Sequence, residues 1–89
     1  MKYRKIPVII EAMQFTNETK NQVYSFVTCN KSASFAGTSQ PTLMIQTLEG
    51  VMTAHMGDWI IKGVKGEFYP VKDDIFRLTY EHVEDDTHA

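Results

Sequence analysis

GDWIIKGVKGEFYPVKDDIF, residues 57–76, is the stretch whose punctuation decides the fold. Met56-Gly57-Asp58 reads as a turn, and Trp59, Ile60, Ile61 and Lys62 form an apolar piece of strand length. Gly63-Val64-Lys65-Gly66 turns the chain again into a second strand over residues 67–71, where Pro70 marks an edge or the strand's exit from pairing because it cannot donate to a ladder. Asp73 or Asp74 is placed to cap a short helical turn over residues 75–78, since a carboxylate there accepts from free N–H groups. Parallel neighbours need a long crossover, so strands joined by turns this short pair antiparallel.

Working outward, LMIQTL (residues 43–48) and VMTAH (residues 51–55) read as a hairpin across Glu49-Gly50, with glycine where positive φ is needed. Residues 79–83 read as a last strand, followed by a flexible acidic tail at residues 85–89. On the N-terminal side, VIIEAMQF (residues 8–15) is rich in β-branched and aromatic residues and predicts a strand. Both of its faces are mostly apolar, which predicts that the strand is covered on both sides. In TNETKNQVYSFV, Val23, Phe26 and Val27 recur at helical spacing, and Thr19 with Gln22 matches a capping box, predicting a helix over residues 20–27. Residues 29–41 (CNKSASFAGTSQP) have the composition of an exposed loop with Phe35 as its anchor. The expected architecture is a single α+β, β-rich domain over residues 1–84. It is a small, mainly antiparallel sheet, curled or rolled into an open barrel, with one packed helix and a short C-terminal helical turn.

The bulk composition agrees with a small folded domain: 89 residues, 43% hydrophobic and 22% charged, with a net charge of −2. This balance argues against non-specific attraction to nucleic acid or anionic membrane, which needs a basic surplus. Cys29 is the single cysteine, so neither an internal disulfide nor a multi-thiolate zinc site is expected. The opening MKYRKIPVII is broken by Pro7 and closed by Glu11 before it reaches the length of a signal core. No run approaches the roughly 20 apolar residues of a membrane span. The expectation is a cytoplasmic protein with no membrane partner.

Few residues have the spacing that chemistry requires. His55, His82 and His88 have no second histidine or cysteine at ligand spacing, so no metal site is expected. Cys29 is expected just after a helix, at the negative end of its dipole, a poor place for a thiolate nucleophile. Asp58 and Glu67 stand in or beside turns, and Asp73 and Asp74 are adjacent, so turn and cap roles are expected of all four before acid–base or metal chemistry. The glycines of this stretch lead into another strand and lack the Lys-Ser/Thr of a phosphate loop, so no nucleotide cofactor is expected through them. What remains is a surface: Trp59, Lys62, Lys65, Tyr69 and Lys72 form the candidate binding surface. Aromatics interleaved with cations on a small barrel can hold single-stranded nucleic acid or an anionic nucleotide.

The residues Pro7, Val8, Ile10, Glu11, Ala12, Gln14 and Phe15, then TLEG at residues 47–50, GDWIIKGVKGEFYP at residues 57–70, Asp74-Ile75-Phe76 and Thr79-Tyr80-Glu81 together resemble a family of small uncharacterised proteins encoded in bacteriophage and prophage genomes. The chain departs from that pattern at Ile6, where a lysine is common, and at Met56, where a proline precedes Gly-Asp. The resemblance implies a phage gene product in the bacterial cytoplasm and brings no activity, substrate or catalytic residue. The functional expectation is a non-catalytic module that binds a host or phage protein and is a candidate homo-oligomer. A binder of nucleic acid or an anionic nucleotide is the alternative, and a small enzyme using Asp58, Glu67 or Cys29 comes last.

Overall fold

The structure is a computed structural model that describes residues 1–4 and 6–83; the expected tail at residues 85–89 and His88 lie outside the described residues. The element order is β1 (Glu11–Gln14), α1 (Lys20–Phe26), β2 (Lys31–Ser34), β3 (Thr42–Thr47), β4 (Gly50–Ala54), β5 (Trp59–Lys62), β6 (Phe68–Val71) and α2 (Asp73–Thr79). All ladders are antiparallel, and the strands divide into two three-stranded sheets, β1-β5-β6 and β2-β3-β4. The α+β, strand-rich character is as the sequence predicts. The strands form two three-stranded sheets rather than the one curled sheet or open barrel expected, and no closed barrel is shown among the described residues. Instead β6 packs against β3 and β4 of the other sheet.

One core joins the sheets and α1. It is built from Phe15, Val23 and Val27, then Leu43, Ile45 and Ala54, then Ile60 and Phe68. On β3 the alternation is regular, with Leu43 and Ile45 inward and Met44 and Gln46 outward. On β5 it fails in an informative way, because Ile60 and Ile61 are both fully buried although they point to opposite faces. Ile60 joins the core, whereas Ile61 lies on the opposite face of the sheet with Trp59.

Four sequence expectations are corrected. First, the strand expected over residues 8–15 pairs only at Glu11–Gln14, because its partner β5 ends at Lys62, where the chain turns at Gly63. Residues 8–10 therefore overhang the sheet, and Val8 and Ile9 are 56% and 78% exposed instead of covered. Second, the loop expected over residues 29–41 contains β2, whose polar KSAS sequence is held by the ladder that β3 offers rather than by its own propensity. Lys31 in this strand also donates to the Val27 carbonyl at the end of α1 and lies 4.3 Å from the Tyr24 ring centre. Third, the capping box on α1 does not form. The Thr19 hydroxyl donates to the Gln14 carbonyl at 2.6 Å and accepts from the Thr16 N–H at 2.9 Å, fastening the β1–α1 turn instead. Fourth, residues 79–83 are not a strand. Thr79 closes α2, Tyr80 is extended, and residues 80–83 join no ladder. The hairpin turn between β3 and β4 also falls one residue earlier than expected, at Leu48-Glu49, with Gly50 (φ +106°) already paired to Thr47.

Gly57 explains why the β4–β5 connection is so tight. Its φ of +93° lies in the left-handed region, and its N–H donates to the Phe15 carbonyl at 2.7 Å, tying the turn to the end of β1. Gly57→Ala is therefore expected to lower unfolding stability by about 1–2 kcal/mol, the cost of a left-handed residue with a Cβ. Phe15→Ala, which empties a fully buried site, is expected to cost about 3–5 kcal/mol. Urea unfolding with an unchanged m-value measures both.

Candidate functional site

The residues singled out from sequence do not gather into one surface. Trp59, Ile61 and, across the ladder, Tyr69 share the outer face of the β1-β5-β6 sheet, whereas Lys62 alternates onto the other face with Ile60. Lys62 lies 3.8 Å from the Glu11 carboxylate, a solvent-exposed pair. Lys72 reaches Asp58 at 3.4 Å, and Lys65 is exposed on the β5–β6 turn. Trp59 and Tyr69 are thus together without a ring of free cations around them.

What covers this outer face is α2. Trp59 stacks on Phe76 with ring centres 4.1 Å apart and planes 7° from parallel, and Phe76 stacks in turn on Tyr80 at 5.2 Å. The stack is pinned at one end by Asp73. Its carboxylate accepts the indole Nε1–H at 2.8 Å and the Arg77 Nε–H at 3.0–3.1 Å, with the Gln14 amide at 3.5 Å. The hydrogen bond from Trp59 first, and that from Arg77 second, hold the Asp73 carboxyl below its ordinary range. At the other end the Tyr69 and Tyr80 hydroxyls lie 3.5 Å apart; burial first, then this contact, push the Tyr69 phenol up to about 12. The sequence reading of Asp73 as a helix cap is corrected here. Neither aspartate caps through its side chain, since the N-cap is Lys72, and only Asp74 bonds a nearby N–H, that of Ile75.

Beside the stack runs a groove of about 880 Å³. Pro7, Val8 and Ile10 line one side and Tyr80, His82 and Val83 the other, with Ala12, Trp59 and Phe76 at its base. No described residue from 6 to 10 makes a backbone hydrogen bond to another described segment, and in residues 80–83 only the Tyr80 N–H does so, within α2. The exposed Ile75 and Leu78 on the outside of α2 extend the apolar surface; Leu78 is 86% exposed.

The residues considered for catalysis stand apart. Asp58, the one buried carboxylate among the described residues, accepts the His55 N–H at 2.9 Å and closes the turn that enters β5. Glu67 lies at the opposite end of the β5–β6 hairpin, where its carboxylate sits over Gly63 and accepts the Lys65 N–H. It lines a smaller hollow of about 320 Å³ with Glu49, Met52 and Tyr69. Cys29 follows α1, half-buried beside the Gln46 carbonyl. Among the described residues, no three His, Cys, Asp or Glu side chains come together where they could hold a metal ion. No helix among them is long and apolar enough to cross a membrane.

Asp73, Phe76, Arg77 and Tyr80 were missed as a unit by the sequence reading, although their 3-4-7 spacing is that of one helical face. Extending the helix past Leu78 would have found them. Comparison with protein-family models, with curated proteins and with solved structures finds no match to this chain.

Trp59 is the single tryptophan, so its emission reports α2 docking directly. Asp73→Ala is expected to shift that emission to the red and to lower helical content while the Ile60 core remains folded. The lowered Asp73 pKa adds stability that is complete above the ordinary carboxyl value of 3.8 and is lost as pH falls through the folded value, so acid should undock α2 in that window. The raised Tyr69 pKa works in the opposite sense: its contribution holds below 10.0 and is lost between 10.0 and about 12, so an absorbance titration should place the Tyr69 phenol near 12.

Proposed function

We propose that this protein is a non-catalytic binding module that takes a strand-like segment of a host or phage polypeptide into the groove beside α2. One observation carries this: two segments of strand-forming composition, residues 6–10 and 80–83, flank an apolar groove with their backbones outside any ladder. An extended peptide between or beside them gains main-chain hydrogen bonds from either wall and places alternate side chains on Val8, Ile10, Trp59 and Val83. The base is held rigid by the aromatic stack, which lowers the ordering cost of binding. The resemblance of residues 57–70 to phage and prophage proteins supports a setting in the cytoplasm of a bacterial host.

The nucleic-acid alternative draws less support from the geometry. The upper face of Trp59 is already occupied by Phe76, and Lys62 and Lys72 each lie against a carboxylate. A free aromatic face amid unpaired cations is what that mode requires.

Display selection against the folded protein is expected to enrich extended peptides with alternating apolar residues. Their affinity should fall at least about tenfold in Val8→Lys and in Val83→Lys, and stay unchanged in Val51→Lys on the exposed face of β4, as altering central contacts does and altering remote ones does not. Failure to enrich any such peptide, or equal binding to all three variants, contradicts the proposal.

A further inference from the structure

The smaller hollow, of about 320 Å³, is an open end of the space between the two sheets. Met52 lines it from the side of β4 that carries the buried Ala54, and Phe68 lines it from the core side of β6. Leu48, 92% exposed, extends the apolar wall. Two carboxylates share the lining, Glu49 from the β3–β4 turn and Glu67 from the end of the β5–β6 turn. Hydrogen bonds fix both turns. The Thr47 hydroxyl accepts the Glu49 N–H at 3.1 Å and donates to the Gly50 carbonyl at 2.7 Å. The Lys65 N–H donates to Oε1 of Glu67 at 3.0 Å, and Gly63 leaves room for that carboxylate, which a Cβ there would overlap. Among the described residues, Oε2 of Glu67 accepts no hydrogen bond, and neither glutamate forms an ion pair.

Resting on the reading of this protein as a binder of a polypeptide segment, we infer that the hollow receives a basic side chain of that segment, a lysine or an arginine. The aliphatic stem lies along Leu48, Met52 and Phe68, and the charged end meets the Glu49 and Glu67 carboxylates. Long cationic side chains suit such a site because they cover apolar surface with the stem while the head stays at the wet rim. An apolar side chain there would strip water from two carboxylates without replacing it, and an acidic one would be repelled. The volume stands at the lower end of the about 300–1,000 Å³ usual for ligand pockets, which suits one side chain. The fold also places the hollow within reach of the groove. The ladders set Glu11, Lys62 and Phe68 in one row, so the overhang of residues 6–10 and the hollow lie at the same end of this sheet, two strand spacings or about 10 Å apart. Tyr69 lines the hollow and Tyr80 the groove, with their hydroxyls 3.5 Å apart. A basic residue on a segment already seated in the groove therefore reaches the carboxylates at a high effective concentration, an advantage that a free amine lacks.

Two measurements on the full chain test this. In the first, acetyl-arginine amide and its uncharged counterpart acetyl-citrulline amide are titrated against the protein, and NMR follows the amides of Leu48, Glu49, Glu67 and Phe68. The arginine probe should bind at least about threefold more tightly than the citrulline probe, as exposed ion pairs allow, and more weakly as salt rises. That preference should vanish in the double variant Glu49→Gln, Glu67→Gln and persist in Glu18→Gln, which removes a charge elsewhere. Circular dichroism confirms that each variant is folded. In the second, display-selected peptides should carry lysine or arginine at a fixed spacing from their apolar residues. Replacing that residue by citrulline or norleucine should weaken binding to the wild type by at least about threefold and leave binding to the double variant unchanged. Equal binding of the two probes, or a preference that survives in the double variant, overturns the inference. Selected peptides that bind the groove without a basic position overturn it while leaving the groove reading intact. If the arginine probe is preferred but no peptide is selected, the groove reading fails, and with it the assignment of the cation to a polypeptide.

Discussion

Everything in this small domain depends on β5 being buried on both faces. A four-residue strand with Ile60 and Ile61 both at zero exposure needs cover on each side, and 89 residues supply little material for it. The inner cover is the second sheet with α1. On the outer face, Trp59 is covered by a single seven-residue helix, α2, too short to be stable alone and fastened by the Trp59–Phe76–Tyr80 stack and the Asp73 carboxylate. Without α2, the indole would lose both the ring stacked on it and the carboxylate that accepts its N–H. The helix also sets the functional geometry, because its inner side forms the base of the groove and its outer side the exposed Ile75 and Leu78.

The arrangement separates structural from interactive roles within a few residues. Asp58 and Asp73 look alike in sequence, each near a turn, yet neither is left free to react. Asp58 closes the turn before β5 and holds Lys72, while Asp73 fixes the indole. Glu67, at the far end of the hairpin, braces the glycine turn. Each of these three carboxylates is engaged by a neighbouring group. One part of the exposed apolar surface lies where residues 6–10 overhang and residues 80–83 trail from α2, and another on the β3–β4 hairpin at Leu48 and Val51.

Where the sequence was legible, local chemistry agreed with tertiary demand. Glycine at residues 57 and 66 takes positive φ, so the turns bounding β5 and β6 could be placed within a residue or so, and the period of Val23, Phe26 and Val27 located α1. The signal failed where pairing was decided elsewhere. KSAS has no strand composition of its own and becomes β2 only because β3 offers an edge. Residues 8–10 have ample strand composition and pair with no other described residue, because β5 stops four residues after it starts. Thr19 and Gln22 have capping-box spacing, but the Thr19 hydroxyl is drawn to the Gln14 carbonyl. The candidate surface was half legible: alternation puts Trp59 and Tyr69 on one face, but it also puts Lys62 on the other, Lys65 stands on the β5–β6 turn and Lys72 reaches Asp58, and the helical face of Asp73, Phe76 and Tyr80 was cut off by reading a strand too early.

Hydrogen exchange resolved to single amides tests the central claim most directly, because it reads both the buried strand and its overhanging neighbours in one experiment. The Ile60 and Ile61 amides should be among the last to exchange. In dilute protein the amides of residues 8–10 and 81–83 should exchange at close to unstructured rates, and both segments should slow together when the groove is filled. Protection of the two segments in the dilute protein would contradict the account. So would fast exchange at both after a bound segment is in place.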